Sequence, residues 1–353
     1  MLWTIAVAAA VTAVTAAVLP HTLSGAHLVT AYISLFATTV SLGAIVAHLF
    51  SYEAPTRQRL VIRVMLMVPI YAIDSLWAFW DPNDAGWIDV LRDTYEAYVI
   101  YNFFWLIVDL MGGSEALLKY WAAHEPEMDH MFPLRGKMKL DKRALNLWRL
   151  FMIQYVVCSP LVTTVTFLTT AFGAYSDSSW SLENAHLYLA LLRCVSVTLA
   201  FTALLYLYMS TKHHLHDEFN PTAMFMSIKA VIFLGCWQGY IVQALHAAGI
   251  FPFAAMINFI CAGSEHLSCT ARLTADEEVA LVALDNFMTC LEMGAAVIVH
   301  QVVFDPKKFI RSPAAAPRKD LSFAERVRHA FNVLDVSHEL RSAATATLSK
   351  KTR

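Results

Sequence analysis

Residues 185–210 read AHLYLALLRCVSVTLAFTALLYLYMS, with Arg193 as the one Lys or Arg and with no acidic residue. About 20 apolar residues in a helix suffice to cross the hydrocarbon core of a bilayer, so this stretch predicts a membrane span. The whole chain has the same character, because 58% of its 353 residues are hydrophobic and only 15% are charged. A soluble enzyme is therefore excluded. A formal net charge of -2 also gives no basic surface for nucleic acid.

Apolar runs of spanning length, bounded by charged or turn residues, predict an all-α fold, a polytopic membrane protein with a seven-transmembrane helix bundle. The predicted spans are 26–50, 61–80, 94–111, 148–172, 185–210, 222–249 and 280–304. Residues 1–25 precede this domain of 26–304, and a cleaved signal peptide and an extra N-terminal helix both stay open for them. The short apolar piece 250–263 is predicted to be re-entrant or interfacial.

The distribution of basic residues predicts the orientation of the bundle. Of the 26 Lys and Arg residues, 22 lie in segments that alternate correctly with seven spans and fall on one side, including eleven in the tail from 305. Basic segments stay on the cytoplasmic side of a membrane. We therefore expect the N-terminus outside or in a lumen and the C-terminus in the cytoplasm.

Several ionisable residues fall inside the predicted spans, where a charge is costly and usually has a partner or a function. Helical rise places Asp74, Glu96 and Asp285 at the same depth as Arg193, so we predict one acidic cluster around that arginine. These groups are candidate structural ion pairs.

A second set of polar residues predicts a solute path. Residues seven apart share a helix face, and such spacing joins Asn102 to Asp109 in span three and Asp285 to Glu292 in span seven. The same spacing joins Lys229, Cys236 and Gln243 on one face of span six. Asp109 and Glu292 are both candidate counter-ions of Lys229. Three readings stay open: contacts that only hold helices together, a hydrated cavity for a polar or amphipathic solute, and a proton relay.

Other residue patterns support no cofactor and no metal site. His213, His214 and His216 form one histidine group, whereas membrane di-iron enzymes need several. Span seven contains no lysine for a retinal Schiff base. Most cysteines fall in apolar runs and are predicted to be small core residues, while Cys261 and Cys269 share a loop in which one disulfide is an open alternative.

The cytoplasmic tail, 305–353, differs from the rest of the chain. After a Pro- and Ala-containing linker, 321–340 has apolar residues at helical spacing beside basic ones, which predicts an amphipathic helix at an anionic membrane surface. A partner groove is the alternative. Phe331 and Leu334 fit the aromatic-x-x-aliphatic pattern of peptides that bind autophagy-related ubiquitin-like proteins.

Motifs spread over all the spans resemble those of one family, the organic solute transporter alpha and transmembrane protein 184 family, which includes plant Lazarus-type proteins. The matching segments are QRLVIR at 58–63, VPIYA at 68–72, YEAYVIYNF at 95–103, GG at 112–113, WQG at 237–239 and CLEM at 290–293. The resemblance implies a seven-helix protein without catalytic chemistry. It also implies a beta-type subunit or homo-oligomer as a partner, and residence in a vacuolar, lysosomal, endosomal or plasma membrane.

Two hypotheses about function follow from the residues and the resemblance. The first is transport of amphipathic organic solutes, steroid-like or anionic, with Lys229 and Glu292 as a central charge pair and Glu96, Asn102 and Gln238 as bridging or solute-contacting groups. The alternative is a non-transporting endolysosomal or vacuolar scaffold in trafficking or autophagy. The absence of cysteine between Asn102 and Cys158 departs from the transporter alpha branch and favours the transmembrane protein 184 branch.

Overall fold

The structure is a computed structural model, which describes residues 25–81, 85–130, 136–173, 184–249, 257–258, 260–261, 277–309 and 321–332. These residues are almost entirely helical. Their helices and strands are α1 (Gly25–Phe50), α2 (Pro55–Met65), α3 (Met67–Trp80), α4 (Ala85–Leu110), α5 (Ser114–His124), β1 (Glu127–Asp129), β2 (Lys137–Lys139), α6 (Lys142–Ala171), α7 (Ala185–Phe219), α8 (Pro221–Ala247), α9 (Glu277–Val303), α10 (Pro306–Phe309) and α11 (Phe323–Phe331).

Five helical segments in the described residues are long and apolar enough to cross a membrane. They are Gly25–Phe50, Pro55–Trp80, Lys142–Thr170, Ala185–His216 and Val279–Val303. A sixth is counted if Val90–Leu110 and Ser114–His124, which meet at an angle of 65°, form one broken span. The prediction of a helical, multi-pass membrane protein is confirmed. The count of seven spans stays a prediction, because the apolar segment identified within α8, Pro221–Ile232, is shorter than a membrane span.

The break between α4 and α5 is caused by a pair of glycines. Gly112 and Gly113 have φ angles of 85° and 94°, a left-handed region that side chains with a Cβ rarely adopt. The amide of Gly113 donates to the carbonyl of Val108 at 2.9 Å, and the amide of Gly112 donates to that of Asp109 at 2.9 Å. These bonds close the end of α4 in the manner of a helix C-cap, so α4 ends at Leu110, one residue before the end predicted for span three.

The chain divides into two compact units, and unit 1 comprises 1–48, 65–92 and 223–306. A Cβ added at Gly294 of α9 would lie 2.6 Å from Cγ2 of Ile33 in α1. Seven residues further along both helices, Nε2 of Gln301 donates to the carbonyl oxygen of Val40 at 3.2 Å. The two helices of this unit, α1 and α9, therefore run in the same direction. At their ends, Nε2 of His48 lies 2.9 Å from the carbonyl oxygen of Phe304.

Unit 2 comprises 49–64, 93–222 and 307–353. In it α6 packs along α7, and an aromatic cluster joins them to α5. The Trp148 ring lies 5.6 Å from Trp121 and stacks on Tyr206 at 5.8 Å. The long link predicted between spans three and four thus contains α5 and an antiparallel hairpin of β1 and β2, with Glu127 opposite Lys139. Asp141 begins α6 as its N-cap and accepts from the amide of Arg143 at 2.8 Å.

Beyond α10, the described part of the tail contributes one further short helix to unit 2. Of the amphipathic helix predicted for 321–340, the described part is α11, which ends at Phe331, and Leu334 lies outside the described residues. Ser322 and Glu325 form a capping box at its start. The Ser322 hydroxyl and backbone N–H both bond the Glu325 carboxylate and hold its pKa below the usual value.

Three other predictions concern segments that are described only in part. Residues 1–24, for which a signal peptide or extra helix was predicted, lie outside the described residues. In the predicted re-entrant piece 250–263, positions 257–258 and 260–261 are helical. Cys261 is disulfide-bonded, whereas Cys269 lies outside the described residues. No group of three or more His, Cys, Asp or Glu residues suited to a metal was found in the described part of the chain.

Candidate functional site

A polar cluster in unit 1 is built around Arg92, near the start of α4. Its Nε lies 3.0 Å from Oδ2 of Asp74, and its Nη2 donates to Ser75 Oγ at 3.2 Å and to Asn286 Oδ1 at 3.0 Å. The guanidinium carbon also lies 6.0 Å from the centre of the Tyr71 ring. This cluster, Arg92 with Asp74, Ser75 and Asn286, ties α3 to α9 through partly buried hydrogen bonds.

A second contact in unit 1 joins α8 to α9. Nε2 of Gln238 donates to Oδ1 of Asp285 at 3.0 Å and to the carbonyl oxygen of the same residue at 3.0 Å. Asp285 and Asn286 are neighbours on α9, so the Gln238 contact and the Arg92 cluster meet that helix at adjacent residues. The sequence indicated Gln238 as a helix-bridging or solute-contacting group, and the structure places it as a bridge between helices.

The predicted acidic cluster around Arg193 is not what the structure shows. Arg193 forms an ion pair with Asp93, whose Oδ2 also accepts from the hydroxyl of Thr163 at 3.0 Å. Asp74 pairs with Arg92 instead, and Asp285 bonds Gln238. Depth in the membrane was the only coordinate that the sequence supplied, and depth does not determine which helices are neighbours.

The three path residues predicted in span three all bond to other side chains of unit 2. Oε1 of Glu96 accepts from the hydroxyl of Tyr155 at 3.1 Å. Oδ1 of Asn102 accepts from Nη1 of Arg63 at 3.1 Å, and Asp109 forms an ion pair with Arg57 at 2.9 Å. These contacts favour the structural reading for span three, in which the polar stripe holds helices together.

The predicted pair of Lys229 and Glu292 is not among the ion pairs found in the described residues. Lys229 is exposed on α8, whereas its neighbour Ile228 is buried. Glu292 is half-buried on α9, and its Oε2 is a buried atom without a hydrogen-bond partner in the described part of the chain. The predicted pairing fails because Lys229 lies on the exposed side of its helix. The side chain of Gln243 lies outside the described residues.

Glu292 is one of several residues on α1 and α9 with a buried polar atom that has no hydrogen-bond partner in the described residues. Thr38 Oγ1 on α1 and both ring nitrogens of His300 on α9 are also buried without a partner in the described residues, and His300 is only 2% exposed. We call Thr38, Glu292 and His300 the unpartnered set. An unsatisfied polar group in a bilayer costs several kcal/mol, so these atoms favour contact with water or a polar solute.

Three arginines, Arg57, Arg63 and Arg92, form the central contacts of these clusters, and no sequence pattern singled them out as a group. In the sequence they counted only as basic charges among the 26 Lys and Arg residues that were used to predict the orientation. A signal was present for Arg63, the last residue of the QRLVIR motif, because a buried arginine needs fixed partners.

Together, the apolar helices and the buried polar clusters define a multi-pass integral membrane protein. The chain belongs to the organic solute transporter Ostalpha family, whose family model matches residues 26–309. This match confirms the resemblance found in the sequence, and it assigns the chain to a family of transporters and not of enzymes. The matched segment ends at the last residue of α10 and does not include α11. No solved structure matches this chain.

Proposed function

We propose that this protein transports amphipathic organic solutes across a membrane through a path in unit 1 that passes Glu292. The observation that carries the proposal is the buried Oε2 of Glu292, which has no hydrogen-bond partner among the described residues. A carboxyl group at membrane depth is expensive, and it stabilises a helix bundle only when the bundle supplies its hydrogen bonds. A group that instead keeps bonding capacity unused is suited to a ligand that comes and goes.

The surroundings of Glu292 support an amphipathic solute. Met293 and Val297 follow on the same helix and are fully buried, so apolar surface adjoins the carboxyl group. Thr38 and His300 add further polar atoms on α1 and α9. A steroid-like solute combines the two requirements, because its skeleton buries apolar area while its hydroxyl groups donate to and accept from these side chains.

Lys229 supports the proposal that the solute also carries an anionic group. Its side chain is exposed on α8, the helix that Gln238 joins to α9. An ammonium group at membrane depth favours an anion as a neighbour. An organic anion with a rigid apolar body, such as a steroid sulfate, therefore fits the set of side chains better than an inorganic ion does.

The topology and setting that we propose are those predicted from the sequence. The bundle has seven spans with the N-terminus outside and the C-terminus in the cytoplasm, in an endomembrane or the plasma membrane. The parallel course of α1 and α9 supports this arrangement, because the first and last of seven spans must run in the same direction. A beta-type subunit or a second copy of the chain is the proposed partner.

Flux of a radiolabelled steroid sulfate into sealed proteoliposomes tests the proposal. We expect saturable uptake with the purified chain, alone or with a beta-type partner, and no saturable uptake in protein-free vesicles. Equal uptake in both preparations, with the partner also tested, would reject transport and direct attention to the scaffold alternative.

A further inference from the structure

The tail helix, α11, is docked on the short segment that connects α1 to α2. The Phe323 ring lies 5.3 Å from that of Phe50, at the start of the helix. The hydroxyl of Tyr52 lies 2.9 Å from Nδ1 of His329, near its end. We call residues 49–63 the junction, and all these contacts lie within unit 2.

Two arginines cap the two helices reciprocally. Nη1 of Arg326 in the tail helix donates to the carbonyl oxygens of Leu49 at 3.1 Å and Phe50 at 3.0 Å, which end α1. Arg63 of the junction donates through Nε to the carbonyl oxygen of Ala330 at 3.0 Å, and through Nη2 to that of Asn332. The last carbonyls of a helix lack intrahelical donors and carry partial negative charge, so a guanidinium there is stabilising.

The same Arg63 side chain reaches from the tail helix to the middle of α4. It is only 1% exposed, and its Nη1 donates to Oδ1 of Asn102 at 3.1 Å. The hydroxyl of Tyr95 donates to the backbone carbonyl of Arg63 at 2.6 Å, and the Tyr98 ring lies 5.6 Å from its guanidinium carbon. One buried guanidinium therefore shares its bonds between the tail helix and α4.

The docked helix has the features of an element that can detach. It is nine residues long, and helices shorter than about 12 residues are marginal on their own in water. Phe323 and Phe331 remain 46% and 45% exposed, so its attachment depends mainly on the polar contacts of Arg326, Arg63 and Tyr52. Few buried apolar contacts are typical of segments that open locally.

We propose that the tail helix is a displaceable latch, whose docking on the junction fixes Arg63 and, through Arg63, the conformation of α4 around Asn102. Release of the helix removes the Ala330 and Asn332 carbonyls from a guanidinium that is buried. An unsatisfied buried donor is costly, so Arg63 and its contacts in α4 must rearrange when the latch opens. The tail helix lies outside the segment matched by the family model, so the latch is an inference about this chain. It does not depend on which solute is transported.

Hydrogen exchange of the full-length protein in lipid nanodiscs, read by mass spectrometry, tests the latch. Arg326→Gln removes the contact with Leu49 and Phe50 without altering a buried residue. Arg328→Gln is the matched control, because Arg328 lies on the same helix and is exposed. We expect Arg326→Gln to raise exchange of amides 323–331 at least tenfold and Arg328→Gln to leave it within twofold of wild type.

A second variant tests the coupling to α4. A chain that ends after residue 320 should show faster exchange in peptides covering 95–102, with peptides from α6 and α9 unchanged. The proposal is overturned if wild-type amides 323–331 exchange as fast as those of an isolated 321–332 peptide. It is equally overturned if Arg326→Gln behaves like Arg328→Gln, or if truncation leaves the 95–102 peptides unaffected.

Discussion

Arg57 and Asp109 form an ion pair in which Nε of the arginine lies 2.9 Å from Oδ2 of the aspartate. Arg57 is 3% exposed, and its guanidinium carbon lies 5.2 Å from the centre of the Phe219 ring. Three helices of unit 2, α2, α4 and α7, therefore meet at this arginine. Asp109 was predicted as a counter-ion for Lys229, and its contact with Arg57 gives it a structural role.

Replacing Arg57 tests that structural role. Arg57→Met leaves the Asp109 carboxylate without this partner in a mostly buried position, and we expect unfolding free energy to fall by about 2 kcal/mol. Denaturant titration of the purified protein in mixed micelles measures the change. Arg143→Met, at an exposed position, should have little effect, and equal stability of the two variants would contradict the assignment.

The Arg92 cluster in unit 1 should behave as a coupled pair. Asp74→Asn and Arg92→Gln each remove one end of the 3.0 Å contact, and each is expected to destabilise the protein. Because the two residues share one interaction, the double variant should be less destabilised than the sum of the single effects, by about 1–3 kcal/mol. A double-mutant cycle measured by the same titration would refute the pairing if the effects were additive.

Close packing of α1 on α9 depends on the missing side chain at Gly294. A Cβ there would lie 2.6 Å from Cγ2 of Ile33, so Gly294→Ala should cost about 1–3 kcal/mol through overpacking. Ile33→Ala removes the opposing methyl group and should reduce the cost of Gly294→Ala when the two changes are combined. Thermal unfolding of the four proteins provides the comparison. An alanine at 294 that is neutral in the wild-type background would argue against this contact.

High pH should weaken the contact between the junction and the tail. Burial raises the pKa of Tyr52 to about 12, against the opposing effect of Arg59 and Arg63, whereas an exposed tyrosine has a pKa of about 10. Above pH 10 the unfolded state loses its proton first, so the stability that neutral Tyr52 provides is lost as pH rises from about 10 to 12.

Tyr52→Phe cannot ionise at this position and isolates the effect. We expect wild-type stability to decline more steeply than that of the variant as pH rises from about 10 to about 12, the range between the unfolded and folded pKa values of the tyrosine. Tyr188→Phe, at an exposed position, is the control. Parallel pH profiles for wild type and Tyr52→Phe would contradict the burial of the hydroxyl.

Five of the predicted spans correspond to long apolar helices of the structure. They could be predicted from the sequence because hydrophobic length depends on local composition alone. Residues 185–210 are apolar regardless of what packs against them, and Gly112 and Gly113 indicated the end of span three. The ends of helices that extend beyond the apolar segments were harder to predict from the sequence than the spans themselves. The structure continues α7 to Phe219, beyond the predicted end of the span, since polar residues such as His213 can extend a helix into the interface.

Partners of the buried charges could not be predicted in the same way. Arg193 and Asp93 are 100 residues apart in the chain, and no periodicity within one helix specifies its neighbour. The sequence identified Glu292 as a residue to test, but it paired Glu292 with Lys229 from depth and charge alone. Whether an atom such as Oε2 has a partner depends on helix packing, which only the folded structure supplies.

Solute flux in matched variants shows whether a solute path passes Glu292. Glu292→Gln and Glu115→Gln make the same chemical change, and Glu115 is exposed on α5, away from the unpartnered set in sequence. In proteoliposomes with equal amounts of folded protein, we predict that Glu292→Gln lowers the initial rate of steroid sulfate uptake at least tenfold, while Glu115→Gln retains the wild-type rate. Wild-type uptake by a folded Glu292→Gln protein would contradict the claim.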